Sequence, residues 1–160
     1  MATVSSPKRL IAIDPGERVG WATGVLADGI IELDTHGISE LKPFAIKLGE
    51  RIADYDTVIY ETYRLSAVGA KQIGDDLQTS QLIGMIRYLA WTSGTKLVAQ
   101  SPKIKTTADK VAKGDFKRLI EAEPGTHDDA HDIDAIRHLA YYGWKQQVKE
   151  AARGKQARPA

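Results

Sequence analysis

Three acidic positions in this chain stand where a carboxylate can be held rigid. Asp14 closes the aliphatic run Leu10-Ile-Ala-Ile13, Glu61 closes Thr57-Val-Ile-Tyr60, and an acid-rich stretch, His127-Asp-Asp-Ala-His131-Asp-Ile-Asp134, opens an amphipathic pattern. A carboxylate at the end of a core strand has a fixed direction, whereas one on a loop is solvated and free to turn. Converging carboxylates and imidazoles offer hard donors of the kind magnesium and manganese take. Metal-assisted hydrolysis is the chemistry such a set performs, with two ions dividing the work between attacking water and leaving oxygen. Taken singly, each acid has an ordinary explanation. Asp14 precedes Pro15-Gly16 and suits a turn, and acids such as Asp128 and Asp129 are favoured at a helix start by the helix dipole. The combination is what points to chemistry.

The elements around these acids can be read from periodicity. Val19 to Leu26 and Ile30 to Ile38 alternate as strands across an Ala27-Asp28-Gly29 turn, so a hairpin is expected. Pro43 suits a first helical turn, and Phe44, Leu48 and Ile52 recur at helical spacing, which predicts a helix over 43–53. Thr57 to Glu61 then returns through a helical crossover, parallel to the first strand. That topology places Asp14 and Glu61 at one end of the sheet. A long helix is expected over 76–92, with Leu82, Met85, Ile86 and Leu89 on its apolar face, and a fifth strand over 96–99, ended by Ser101-Pro102. Gly114-Asp115 can start a helix, Pro124-Gly125 breaks the chain, and a last helix is expected from near His127. The whole predicts an α/β domain with a central mixed five-stranded sheet flanked by helices. Residues 1–9 read as a flexible leader, 10–148 as the domain, and 149–160 as a basic flexible tail.

Composition sets outer bounds. At 160 residues and 42% hydrophobic content, one sizeable core can close. No run approaches the roughly 20 apolar residues of a membrane span, and the leader lacks a signal-type apolar region, so no membrane partner and a cytoplasmic location are expected, in a bacterial cell or a phage host. Cys is absent, which excludes thiolate metal sites. A nucleotide cofactor is not expected, because neither a Gly-Lys-Ser/Thr loop nor a dinucleotide glycine fingerprint occurs. Net charge is only +1, yet 103–118 carries six basic residues against two acidic ones. A basic rim around an acidic centre suits an enzyme that grips phosphates and cuts between them. Solvated helix faces would carry the same charges.

The opening Ile13-Asp14-Pro15-Gly16 followed by Gly20, together with Glu61 and the acidic last helix, resembles the RuvC-type Holliday junction resolvases of the RNase H-like superfamily, over about Leu10 to Tyr142. The resemblance implies an RNase H-like fold and a homodimeric, metal-dependent endonuclease that resolves four-way DNA junctions by paired symmetric nicks. Two Mg2+ ions per site are implied, with Mn2+ as a substitute. Asp14, Glu61, His131 and Asp134 are the implied catalytic and metal-binding set. The family places an acid or histidine three residues before an aspartate followed by alanine, which favours His131 with Asp134-Ala135; Asp129 with Asp132 has the same spacing and stays open. Tyr63 is the nearest candidate for an aromatic that probes the junction, although packing at the domain edge explains it as well. Lys105 and Lys117 are the implied phosphate contacts, and Arg64, Lys71, Lys103, Lys113 and Arg118 complete the candidate DNA-binding set. A fork or flap nuclease, or a ribonuclease H of the same fold, would use the same acids. A noncatalytic junction-binding protein would need the basic segment and not the carboxylates.

Overall fold

The computed structural model describes residues 6–16, 18–63, 78–123 and 130–156. Its first strand, β1 (Lys8–Asp14), is buried from Leu10 onward. β2 (Arg18–Ala27) and β3 (Ile30–Glu40) complete an antiparallel meander in which Ile13 pairs with Trp21 and Asp14 with Gly20. Asp28 and Gly29, with φ of 49° and 77°, make the two-residue turn between β2 and β3. Positive φ at both positions gives the twist that a tight hairpin needs, hence the Asp-Gly pair.

α1 (Leu41–Arg51) buries Phe44 and Leu48 against the sheet, and a single tight turn at Ile52–Asp54 leads into β4 (Thr57–Glu61). β4 is parallel to β1, with Ile13 opposite Tyr60. α2 (Gln78–Ser93) precedes β5 (Lys96–Gln100), which runs parallel to β4 and sets Gln100 opposite Glu61. The sheet order is β3-β2-β1-β4-β5. One row across it therefore reads Gly20, Asp14, Glu61, Gln100.

Strand alternation sorts the row to one side. Ile11, Ile13, Val58 and Tyr60 pack under α1 and α2, whereas Leu10, Ala12 and Ile59 pack under the last helix. Asp14 and Glu61 share the parity of that second set. After a short turn at Pro102–Ile104 come α3 (Lys105–Val111), α4 (Gly114–Glu121) and α5 (His131–Gln156). Ala135, Ile136, Leu139 and Tyr142 form the buried stripe of α5. The expected mixed five-stranded α/β sheet is what the structure holds, and its borders differ only locally. β1 begins at Lys8, inside the expected leader, and α5 continues to Gln156, through part of the expected tail. Lys149 to Arg153 are strong helix formers attached to an existing helix, so continuation needs no new nucleus. Among the described residues, no helix is long and apolar enough to cross a membrane.

Candidate active site

The row at the carboxyl end of β1 and β4 becomes a site because the start of α5 lies directly against it. Gly20 makes that approach possible. A Cβ at this position would coincide with the carbonyl of His131 and crowd the amide of Asp132, so helix and strand meet backbone to backbone. His131 is thereby delivered to Asp14, its Nδ1 2.9 Å from Asp14 Oδ2. One turn further, Asp134 reaches Lys105, the first residue of α3, with Nζ 2.6 Å from Oδ2. The same ammonium lies 2.8 Å from Glu61 Oε2. Lys105 thus bridges two carboxylates from different elements.

The charges in this cluster are not evenly compensated. Asp14 is buried, and its pKa is raised above the ordinary aspartate value, first by burial and then by the neighbouring Glu61 carboxylate, against the lowering hydrogen bond of His131. Burial would raise Glu61 too, but hydrogen bonds from His138 and Lys105 bring it below the usual glutamate value. Asp134 behaves likewise: Lys105 and Arg137 outweigh burial and hold its pKa down. Burial opposes the charge on Lys105, and its two carboxylates overcome that and raise its pKa. Arg137 gathers acids from three places, with Nη1 2.8 Å from Asp134, Nε 2.8 Å from Asp109 on α3, and Nη2 2.9 Å from Glu123 beyond α4.

The implied set Asp14, Glu61, His131 and Asp134 is therefore brought together at one sheet end. Of the other pair, Asp129 lies outside the described residues, and Asp132 is turned to His36 on β3, at 2.8 Å. Arg64 and Lys71 also lie outside the described residues. Tyr63 is described and 45% exposed, two residues beyond Glu61. Lys103, Lys113, Lys117 and Arg118 are exposed, the last two facing Glu121 and Asp115 across surface ion pairs. Lys105 stands apart from this group, inside the cluster. Charge counting groups it with the phosphate contacts because nothing in the sequence says that the turn at Pro102–Ile104 swings α3 onto the acids. Arg137 and Gln100 carry no sequence signal of their own. Arg137 is one arginine on a helix, although its spacing of three from Asp134 is that of a same-face pair.

Carboxylate and imidazole donors fit a hard divalent cation. Among the described residues, no three His, Asp or Glu groups are disposed to enclose an ion as they stand. Lys105 instead acts as a stand-in cation between Glu61 and Asp134. The donor set thus suits positive charge and already holds one.

A mixed sheet in this order with acids at the ends of β1 and β4 and on the last helix defines an RNase H-like α/β fold. Neither a protein-family model nor a curated protein matches the sequence. Solved structures do match. The structure of Thermus thermophilus RuvC aligns with a TM-score of 0.59 at 15% identity, over 88% of this chain and 96% of that one. The same bacterium's RuvC in complex with a Holliday junction substrate gives 0.57 at 14%, over 88% and 96%. The yeast mitochondrial Holliday junction resolvase Ydc2 gives 0.59 at 14%, over 93% and 83%. The chain has the fold of the RuvC-type resolvases.

Proposed function

We propose that this protein is a metal-dependent endonuclease that resolves four-way DNA junctions. The observation that carries the reading is the convergence of Asp14, Glu61, His131 and Asp134 at one sheet end, in a fold shared with Holliday junction resolvases. Asp14, Glu61 and Asp134 would hold divalent ions, magnesium or manganese, with His131 at the edge. When bound, such a pair of ions supplies an activated water and neutralises the leaving 3′ oxygen. His131 orients Asp14 and can take part in moving a proton from the attacking water. Lys105 keeps Glu61 and Asp134 ionised in the absence of substrate, and its positive charge would attract a scissile phosphate brought to the site. Lys103 and Lys113, exposed beside α3, position the backbone of a DNA arm without reading bases.

Paired nicks in a junction call for two sites at a fixed separation, hence a homodimer. Tyr88 and Trp91, 62% and 67% exposed and three residues apart on α2, offer an apolar face for it. The test is cleavage of a labelled four-way junction beside fork, flap, linear duplex and RNA-DNA hybrid, with Mg2+ or Mn2+, for wild type and Asp14→Asn. Symmetric paired nicks lost in Asp14→Asn are expected. Equal cutting of forks and flaps would make the protein a general branched-DNA nuclease, hybrid cutting a ribonuclease H, and binding without cutting under either metal would remove the enzyme.

A further inference from the structure

His138 belongs to the core-facing stripe of α5 and is fully buried, a place where Leu or Ile would normally stand. Both its ring nitrogens are nevertheless engaged. Nδ1 lies 2.6 Å from Gln100 Oε1, and Nε2 lies 2.8 Å from Glu61 Oε2. Gln100, itself buried, can meet Nδ1 in either protonation state by accepting through its oxygen or donating through its amide nitrogen. An ionised Glu61 only accepts, so the proton between it and Nε2 is the histidine's.

His131, Asp134 and His138 are spaced i, i+3 and i+7, on one face of α5. The helix therefore grips the row of strand ends at two points, His131 on Asp14 and His138 on Glu61. With Lys105 also on Oε2, both donors to Glu61 share one oxygen, and Oε1 has no partner among the described residues. We propose that His138, backed by Gln100, is a positioning residue that pins Glu61 by Oε2 and leaves Oε1 free for the cation or the substrate. This rests on the nuclease reading.

Glutamine and asparagine separate a donor role from a packing role. In His138→Gln the side-chain amide reaches the position of Nε2 and can still donate to Glu61; in His138→Asn it reaches only that of Nδ1; His138→Leu keeps volume and no donor. Junction cleavage at saturating Mg2+ is expected to fall about 10- to 100-fold in His138→Asn and His138→Leu, the scale of losing a group that orients a ligand. His138→Gln should keep most of the rate, and junction affinity should be the same in all three. A second readout does not need activity: long-range 1H-15N NMR of the wild type should show a proton on His138 Nε2, protected from exchange. Equal rates in wild type and His138→Asn, or equal losses in all three variants, would overturn the proposal, as would an Nε2 without a proton. A wild type that shows the protected proton and cuts no nucleic acid would instead bring down the nuclease reading, and the positioning role with it.

Discussion

Both sides of the acidic cluster are carboxylates at or beside the strand ends, and they behave in opposite ways. On the Glu61 and Asp134 side, Lys105, His138 and Arg137 supply donors, and both acids are held below their usual pKa. On the Asp14 side there is one imidazole, and the acid is pushed above its usual pKa by burial and by Glu61. The difference lies in what folding has already neutralised. On the proposed function, a divalent cation arriving at this site would have most to gain at Asp14, where ionisation is still opposed, and would meet a resident competitor on the other side.

The largest effect expected from breaking this asymmetry is on activity. Asp14→Asn should lower cleavage by about 10²- to 10³-fold, the scale of losing one electrostatic element of a preorganised site. The same substitution should raise thermal stability at neutral pH. A carboxylate whose folded pKa is raised binds protons more tightly in the native state, so its ionisation costs stability increasingly as pH climbs from the unfolded value through the folded one. Thermal melts of both proteins should therefore differ at pH 7 and converge as pH falls below the ordinary aspartate range. Parallel curves at all pH values would count against an opposed Asp14.

Arg137→Met attacks the compensated side. It leaves Glu123, partly buried, without its cation and Asp134 with Lys105 alone, a loss of about 3 kcal/mol, seen as a fall in melting temperature of about 6–12 °C. The depressed pKa of Asp134 contributes stability above its unfolded value that is lost as pH drops through the folded one. Acid unfolding of the variant should accordingly set in at higher pH. A smaller and opposite change is expected from Lys105→Met. Removing the stand-in ammonium should strengthen Mn2+ binding to the DNA-free protein several-fold by calorimetry, while cleavage falls. Weaker Mn2+ binding would mean that Lys105 organises the acids and does not compete for them. The smallest effect belongs to the exposed rim. Lys113→Ala should reduce the slope of log affinity for junction DNA against log salt by about 0.9 if it contacts one phosphate, with the site untouched.

Much of this arrangement was legible because an acid that ends an aliphatic run reports its own position: Asp14 and Glu61 needed only a parallel β1–β4 pair to become neighbours, and the crossover implied one. His131 and Asp134 were reachable through helical spacing and the Asp-Ala dipeptide. Lys105 reads from the sequence as one more phosphate contact, since its place depends on a turn whose direction no local signal encodes. Gln100 and His138 were harder still. A glutamine at a strand end is unremarkable in a string of letters, and a histidine in an apolar stripe is as easily a packed ring; only the row shared by β4 and β5 makes them a chain of hydrogen bonds to Glu61. The end of α5 was misleading for another reason. Ala, Lys, Arg and Gln are common both to disordered tails and to good helices, and what decides is whether a folded helix stands just before them.

The bare contact at Gly20 gives the site a mechanical independence from the core beneath it. Because the start of α5 bears on the main chain of β2, the gap between His131 and Asp14 is gauged by backbone thickness and not by side-chain volume. Shrinking Leu139 or Ile136 would cost stability, yet the helix would still come to rest against the same stop. Sequences can thus drift through the interior of this domain while the imidazole and the acid keep their spacing. At Gly20 a single methyl group would reset it.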